Sequence, residues 1–170
     1  NVINPFNKKV LIICGKGNNG GDGIIAHYYL RKYNIKSRIL FLNNKSCNKT
    51  ILDKYMISSD DYSVYENSMI IDNCDYIIDA IYGIGLDRNI GSFESNIINK
   101  INKIENVISV DLPSGYYVDT RSKNISISAK HTITFDYPKL CHYLNPVNNL
   151  FISNIGLNNI KKNNILLIER

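Results

Sequence analysis

A glycine-rich loop placed between an apolar segment and a helical pattern constrains the fold of this chain most strongly. Residues 14–23 read Cys-Gly-Lys-Gly-Asn-Asn-Gly-Gly-Asp-Gly. The apolar run Val10 to Ile13 before the loop predicts a buried strand, and the residues Gly23 to Tyr33 after it predict a helix. Glycines remove side chains where a ligand could approach backbone N–H groups, and the Asn and Asp side chains add oxygen acceptors at the same place. The loop therefore offers donors to an anion and acceptors to a cation side by side.

The predicted helix after the loop carries an apolar face. Its members are Ile24, Ile25, Tyr28, Tyr29 and Tyr33. Asp22 stands where the N-cap of this helix is expected, and a cap without any further role is the simpler interpretation. A plain cap needs no Asn-Asn-Gly-Gly before it, which favours a contribution of Asp22 to a binding site.

Apolar segments and helical patterns alternate along the rest of the chain. Further strands are predicted at Ser37–Leu42, Tyr76–Ile81, Val107–Val110, His131–Phe135 and Leu150–Ser153, and residues 165–168 form either a strand or the start of a connection. Apolar residues at helical spacing occur in 51–56 and 93–104. This alternation predicts an α/β fold, a Rossmann-like three-layer sandwich with a mainly parallel central sheet and helices on both faces. No repeat or linker interrupts it, so residues 1–170 are expected to form a single domain.

Two common nucleotide-binding loops do not fit this sequence. The glycines between Gly15 and Gly20 satisfy the spacing G-x-G-x-x-G of dinucleotide-binding proteins. That fingerprint expects an acidic residue at the end of the second strand, where residues 43–45 read Asn-Asn-Lys. A Walker loop is excluded because no Gly-Lys-Ser/Thr follows at the required spacing. The loop is therefore predicted to bind phosphate and a cation in another way.

The composition narrows the class of ligand. The net charge of +5 over 170 residues suits an anionic small molecule and does not by itself indicate nucleic acid. No apolar run is long enough to span a bilayer, and no secretory signal opens the sequence. We therefore expect neither a membrane nor a nucleic-acid partner. The expected location is cytoplasmic, or mitochondrial or plastid if an upstream targeting segment has been removed.

Cysteines and histidines show no metal-ligand spacing. Cys14, Cys47, Cys74 and Cys141 contain no C-x-x-C pair, so zinc is not expected and the thiols are interpreted as reduced. His27, His131 and His142 are interpreted as surface or packing residues.

Polar residues follow several predicted strands at their carboxyl ends, the edge at which open α/β sheets bind ligands. Asp79 lies in an apolar strand, and a buried carboxylate needs a cation or several donors. Asn19, Asp79 and Ser114 could together supply the oxygen ligands of an alkali or alkaline-earth ion. Hydrogen bonds from neighbouring backbone amides are the alternative for Asp79.

Two charged residues at the same edge have open interpretations. Arg88, in the loop Gly83–Asn89, could clamp a phosphate with its planar fork, or it is a solvated side chain on an ordinary turn. Asp111 is well placed for chemistry at the end of a strand, or it caps the turn at Pro113–Gly115.

Three motifs occur in order along the chain: G-x-G-N-N-G-G-D-G from Gly15, D-A-I-Y-G-I-G-L-x-R from Asp79 and V-D-L-P-S-G from Val110. With these, and with Thr-Ile-Thr-Phe before Lys139, the chain closely resembles the NAD(P)HX epimerases, the YjeF N-terminal domain family, over about residues 10 to 157. The resemblance implies interconversion of the R and S forms of NADH or NADPH hydrated at C6. A separate dehydratase then restores the cofactor from the S form.

The resemblance also implies roles for residues at motif positions. Substrate contacts are implied for Asn18, Asn19, Gly20, Gly21, Asp22, Gly83, Ile84, Gly85, Leu86, Asp87, Arg88, Asn89 and Asp111. Potassium ligation is implied for Asn19, Asp79 and Ser114. Family members usually begin with helices that contribute to the pocket and often to a dimer, and from the comparison with the family we expect neither these helices nor a dehydratase domain within residues 1–170. A homodimer and partnership with a dehydratase are expectations from the family.

The implied chemistry needs a proton-transfer group near C6. The ring nitrogen can expel the C6 hydroxyl once an acid protonates it, and water can return to either face of the resulting iminium. Asp111 is the first choice for donating and accepting this proton, and Lys139 is the second acid or an electrostatic partner.

Two other functions are weighed against this one. Relatives in mRNA-decapping scaffolds keep the fold but serve dimerisation and RNA contact, whereas this chain retains the polar loop residues and lacks a basic stripe with interleaved aromatics. A Rossmann oxidoreductase is disfavoured by the missing acid after the second strand.

Overall fold

The computed structural model describes residues 7–69, 71, 73–121 and 125–156. The strands within them are β1 (Lys9–Cys14), β2 (Lys36–Phe41), β3 (Tyr62–Val64), β4 (Tyr76–Ala80), β5 (Val107–Val110), β6 (His131–Phe135) and β7 (Asn149–Ser153). The α-helices are α1 (Asn18–Lys32), α2 (Lys49–Lys54), α3 (Ser92–Ile101) and α4 (Leu140–Leu144), and 3₁₀ turns cover Asn44–Ser46 and Ser59–Asp61. In this part of the chain no helix has the length and apolar character needed to cross a bilayer.

The strands form one sheet in the order β3-β2-β1-β4-β5-β6-β7. Every neighbouring pair is parallel; β1, for example, pairs Val10 with Ser37 of β2 and with Tyr76 of β4. Because parallel strands end at the same edge, the segments that follow β1, β4, β5 and β6 meet there. The predicted α/β fold is confirmed, and the described sheet is parallel throughout rather than mainly parallel.

Each face of the sheet carries its own apolar core. Alternate residues of β1 point to opposite faces, so Ile12 packs with Ile24 of α1 and Leu52 of α2, whereas Ile13 packs with Ile97 of α3. The central strands are therefore buried on both sides, which explains their nearly continuous apolar sequence. This is the three-layer arrangement that the alternating pattern predicts.

Helix α1 begins at Asn18, well before the predicted start at Gly23. Its N-cap is Gly17, whose φ of 117° lies in the left-handed region that favours glycine. Asp22 lies one turn inside the helix, so its interpretation as the N-cap is wrong. The side chain of Asp22 is thus available for another role.

Two of the three helical glycines of the loop, Gly20 and Gly23, allow α1 to lie close to the strands and the loop before it. A Cβ on Gly20 would lie 2.0 Å from the carbonyl oxygen of Gly15, and a Cβ on Gly23 would lie 2.7 Å from the Cys14 sulfur. These two glycines serve close packing within the protein rather than the approach of a ligand.

The buried face of α1 differs from the predicted one. Tyr29 and Tyr33 are 48% and 72% exposed, so their assignment to the apolar face is wrong. The buried residues of the helix are Gly20, Gly21, Gly23, Ile24 and His27. The glycines let the backbone of α1 pack against the sheet, and the tyrosine side chains lie on the solvent side of the helix.

Most predicted strand boundaries agree with the structure within one residue. Strand β3 and helix α4 were not predicted, because each is too short to show a periodic pattern. The helix predicted through Met56 ends earlier; Met56 has a φ of 51° and is 87% exposed. All four cysteines are free thiols. The segment 165–168 lies outside the described residues.

Candidate active site

A cavity of about 410 Å³ opens at the carboxyl ends of β1, β4 and β5. It is lined by Lys16, Gly17, Asn18, Asn19, Asp22, Ile81, Tyr82, Gly83, Ile84, Gly85, Asp111 and Phe135. The loop after β1, the loop after β4 and the residue after β5 therefore share one cavity, as the position of the motifs predicted.

Asp79 lies on β4 at the base of this region and is completely buried. Its Oδ1 accepts from Ser114 Oγ at 2.6 Å and from the Ile81 N–H at 3.2 Å. Its Oδ2 accepts from Ser109 Oγ at 2.7 Å and from the Ser114 N–H at 2.9 Å. Burial raises the pKa of Asp79, and these hydrogen bonds oppose the rise. The four donors match the acceptor capacity of a carboxylate.

The three residues expected to ligate potassium meet beside the segment Tyr82–Gly83. Ser114 Oγ accepts from the Tyr82 N–H at 2.9 Å, and a Cβ on Gly83 would lie 3.3 Å from Asn19 Cγ. The Asn19 Nδ2 atom is buried without a partner in the described part of the chain. An amide flip would place an oxygen there instead, because the two ends of the amide are assigned only from their contacts.

This donor set suits a hard cation better than a transition metal. Among the described residues no group of three or more His, Cys, Asp or Glu side chains is placed to hold a metal ion. Amide, hydroxyl and carboxylate oxygens are ligands of alkali and alkaline-earth ions. The carboxylate oxygens of Asp79 already accept four hydrogen bonds. Asp79 pairs with no Lys, Arg or His in the part of the chain described here. It therefore fits a cation site chiefly through its buried negative charge.

Asp111 forms an ion pair with Lys139 at the cavity wall. Lys139 Nζ donates to Asp111 Oδ1 at 2.5 Å, and Thr134 Oγ1 donates to the same oxygen at 3.0 Å. The ammonium group also donates to Thr134 Oγ1 and to the Phe135 carbonyl oxygen. No donor within the described residues reaches Asp111 Oδ2. One oxygen is thus fixed by β6 and Lys139, and the other is available for proton transfer.

The backbone at Asp111 is held in an uncommon conformation. Its φ is 65°, and its N–H donates to the Ile133 carbonyl oxygen at 2.7 Å. The cap interpretation of Asp111 does not describe its side chain, which binds Lys139 and Thr134 rather than the following turn.

His142 connects the two catalytic candidates and was not predicted as part of the site. Its Nδ1 accepts from the Lys139 N–H at 3.0 Å, and its Nε2 lies 3.0 Å from the Asp111 carbonyl oxygen. Burial lowers the pKa of His142, in keeping with a neutral ring that accepts at one nitrogen and donates at the other. The spacing Lys-x-x-His at the start of α4 is the only sequence signal for it.

Asp22 reaches the same cavity from helix α1. Its carboxyl group makes neither a hydrogen bond nor an ion pair with the residues that the structure describes. Burial, and next the negative charge of Asp111, raise the pKa of Asp22. Two carboxyl groups therefore line one cavity: that of Asp111 is paired with Lys139, and that of Asp22 has no such partner among the described residues.

Arg88 lies away from the cavity and is engaged by neighbouring side chains. Its Nη2 donates to Glu94 Oε1 at 2.6 Å and to the Tyr82 hydroxyl at 3.1 Å, and that hydroxyl donates to Glu94 at 3.0 Å. Burial, and next Glu94, raise the pKa of Tyr82 to about 12. The cluster ties the loop after β4 to helix α3, so a role of Arg88 as a phosphate clamp requires it to exchange these partners.

The family described as "YjeF-related protein N-terminus" matches residues 2–141. The chain belongs to this family. The resemblance drawn from the three motifs is thereby confirmed. Residues of these motifs line the cavity of about 410 Å³ described above.

Named relatives within the family are hydrate epimerases and repair enzymes. An NAD(P)H-hydrate epimerase of Limosilactobacillus fermentum is 32% identical over 144 residues, which are 79% of this chain and 67% of that protein. One of Limosilactobacillus reuteri is 32% identical over 137 residues, 78% of this chain and 65% of the relative. The bifunctional NAD(P)H-hydrate repair enzyme Nnr of Moorella thermoacetica is 29% identical over 168 residues, 89% of this chain and 32% of that enzyme. The chain thus spans about two thirds of these epimerases and one third of the bifunctional enzyme.

A solved structure shares the YjeF-related fold. The crystal structure of yeast ynu0, YNL200c, matches with a TM-score of 0.65 and 22% identity over 81% of this chain and 62% of that one. At this identity the likeness concerns the fold alone.

Some residues at YjeF-related motif positions do not line the cavity. Among the predicted substrate contacts these are Gly20, Gly21, Leu86, Asp87, Arg88 and Asn89. Gly20 and Gly21 are packed inside the protein and Leu86 is buried, so a contact with substrate stays a prediction for all six. Five further residues line the cavity without having been predicted as site residues, although each lies within one of the motifs: Lys16, Gly17, Ile81, Tyr82 and Phe135.

A larger cavity, of about 490 Å³, opens elsewhere, around the amino-terminal ends of β1 and β2. None of the residues at the YjeF-related motif positions lines it. Convergence of the motif side chains, rather than volume, therefore identifies the candidate site.

Proposed function

We propose that this chain interconverts the R and S forms of NADH and NADPH hydrated at C6 of the nicotinamide ring. The observation that carries the proposal is the cavity in which Asp111, paired with Lys139, faces the loops that follow β1 and β4. Family membership and the names of the relatives support the same activity. The reaction is an isomerisation that repairs a damaged cofactor.

The first turn of α1 supports binding of the substrate's phosphates. The N-cap of α1 is a glycine and supplies no side-chain hydrogen bond to the first-turn N–H groups, and no acidic residue lies in that turn. Free N–H groups and the helix dipole attract phosphate. Lys16, at the cavity mouth, adds a positive charge.

The reactive ring needs a group that moves a proton at C6. Lys139 and Thr134 hold one oxygen of Asp111, and the other oxygen has no donor in the described residues. A carboxylate with one fixed oxygen keeps its orientation while the second oxygen accepts or donates the proton. Lys139 thus positions Asp111 and balances its charge.

A potassium ion held by Asn19, Asp79 and Ser114 forms part of the proposal. Two observations support it: the buried carboxylate of Asp79, and the Asn19 Nδ2 atom beside Gly83, which is buried without a partner among the residues that the structure describes. Such an ion would neutralise charge and fix the loops after β1, β4 and β5, without a chemical role on the ring. The bifunctional relatives support a dehydratase as the functional partner, and a homodimer is proposed from the family alone.

The test follows conversion of the pure R hydrate to the S hydrate by chromatography, in potassium chloride and in choline chloride at equal ionic strength. We expect equilibration of the two epimers, faster in potassium, and no net loss of the hydrate. Asn19→Ala should lose the response to potassium, and Asp53→Asn, an exposed carboxylate on α2, should keep it.

The two parts of the proposal fail separately. Conversion no faster than in the enzyme-free sample, in either salt, would overturn the activity. Equal rates of conversion in the two salts would refute the role of potassium and leave the proposed epimerisation intact.

A further inference from the structure

Two carboxyl groups approach the cavity from different elements. Asp22 comes from helix α1, and Asp111 comes from the end of β5 in the sheet. The first has no hydrogen-bond or ion-pair partner in the described part of the chain, whereas the second is paired with Lys139 and Thr134. Both residues line the same cavity, so a ligand that fills it would meet a carboxyl group of α1 and one of the sheet edge.

Their surroundings differ in how far they compensate a negative charge. Lys139 compensates the negative charge of Asp111 through a short charge-assisted hydrogen bond. Burial and the nearby charge of Asp111 raise the pKa of Asp22, so the proton is retained more readily there. Two carboxyl groups in such unlike surroundings, one paired with an ammonium group and one unpaired, can divide acid and base roles between them.

The reaction itself requires proton transfer on two faces. The R and S hydrates carry the C6 hydroxyl on opposite faces of the ring, so the water that leaves and the water that adds lie on different sides. One rigid carboxyl group fixed by Lys139 and Thr134 serves one of these sides. A second group on the other side would assist the departure or the addition of water there.

We infer that Asp22 is a second catalytic residue, which serves the face of the nicotinamide ring opposite to Asp111; this rests on the proposed function. In one direction the Asp22 carboxylic acid donates its proton to the C6 hydroxyl, the C–O bond breaks and the ring nitrogen lone pair forms the C=N bond of the iminium. Water then adds to the other face, the C=N electron pair returns to nitrogen, and Asp111 takes the proton that the water loses. The net change is inversion at C6 and transfer of one proton from Asp22 to Asp111, and exchange with solvent restores the starting state.

The experiment separates proton transfer from substrate binding. The parent chain, Asp22→Asn, Asp22→Ala and Asp111→Asn are incubated with each pure hydrate in H₂¹⁸O. Chromatography gives the rate of epimerisation, and mass spectrometry gives ¹⁸O in the C6 hydroxyl of each epimer. Asp53→Asn on α2 is the control, and the urea midpoint checks the fold of each variant. Alanine suits the interior of a helix, so Asp22→Ala keeps the test valid if the Asn variant misfolds.

The expected pattern is specific to a reaction with two acid–base groups. Each Asp22 variant and Asp111→Asn should lose epimerisation by about 100-fold or more. Each should still exchange the hydroxyl of one epimer with retention of configuration, because the remaining carboxyl group can expel and return water on its own face. The epimer that exchanges should differ between the Asp22 variants and Asp111→Asn.

Two results would overturn the inference while leaving the proposed function intact. One is epimerisation by both folded Asp22 variants at the parental rate. The other is an equal loss of ¹⁸O exchange in both epimers, which would make Asp22 a binding or structural residue. A parent chain that neither epimerises nor exchanges would instead refute the proposed function.

Discussion

The carboxylate of Asp79 accepts four hydrogen bonds inside the sheet, and two of the donors are backbone N–H groups that cannot turn away. The Ser109 and Ser114 hydroxyls can rotate to suit a new partner, whereas the N–H groups of Ile81 and Ser114 are fixed. Each oxygen of Asp79 accepts from one fixed donor. Any replacement side chain must therefore offer two acceptors.

Asp79→Asn should destabilise the fold by about 1–3 kcal/mol, because either orientation of the amide turns an NH₂ group against a fixed backbone donor. Ser109→Ala, which removes one rotatable donor, is the matched control and should cost about 0.5–1.5 kcal/mol. Urea denaturation of both variants and the parent gives the two values. A smaller loss in Asp79→Asn than in Ser109→Ala would contradict this account of the carboxylate.

The junction of β1 and α1 depends on backbone groups that touch. A Cβ on Gly15 would lie 1.9 Å from the Ile81 carbonyl oxygen, and a Cβ on Gly20 would lie 2.0 Å from the Gly15 carbonyl oxygen. Rigid backbone surrounds both positions. The loop after β1, the end of β4 and the first turn of α1 are thus fitted together without room for a methyl group.

Gly15→Ala and Gly20→Ala should each destabilise the protein by about 1–3 kcal/mol, since the added methyl group must displace backbone. Gly85→Ala is the control, because a Cβ there meets nothing within 4 Å. Its stability should stay within about 0.5 kcal/mol of the parent. Thermal and urea unfolding give the stability of all three variants. Equal stability of Gly20→Ala and Gly85→Ala would show that the backbone at the junction of β1 and α1 can move to accommodate a methyl group.

The strands and the edge that carries the site could be predicted from the sequence, because apolar runs and the polar residues that follow them are local signals. The partners of the site residues could not. Asp111 meets Lys139, 28 positions away, only after β5 and β6 have paired. The start of α1 was missed for a different reason, since glycines that pack a helix against strands look in sequence like glycines of an open loop.

Across the molecule, His27 links α1 to β2. Its Nδ1 lies 3.0 Å from Ser37 Oγ, and its Nε2 lies 4.0 Å from Asp61. Burial lowers the pKa of His27; the charge of Asp61 opposes this, and that of Arg31 reinforces it. The pKa values of His131 and His142 are also lowered, in each case first by burial.

Stability should therefore fall as the pH drops below about 6.5, the pKa of an unperturbed histidine. In that range the unfolded chain binds protons that the folded chain refuses, and the slope is at most about 1.4 kcal/mol per pH unit for each histidine. His27→Gln should flatten the loss between pH 7.5 and 5.5, as urea midpoints at the two pH values would show. An unchanged slope in this variant would mean that His27 is protonated in the folded protein as readily as in the unfolded chain.

The left-handed backbone of Asp111 decides which mutagenesis can report on this cavity. Asparagine, like aspartate, adopts such a conformation readily, whereas most residues with a β-carbon are penalised by about 1–2 kcal/mol. Asp111→Ala would combine a loss of folding stability with the loss of the carboxyl group, and would therefore overstate the contribution of that group to the reaction rate. Asparagine removes the acidic function and leaves the bend of the chain in place.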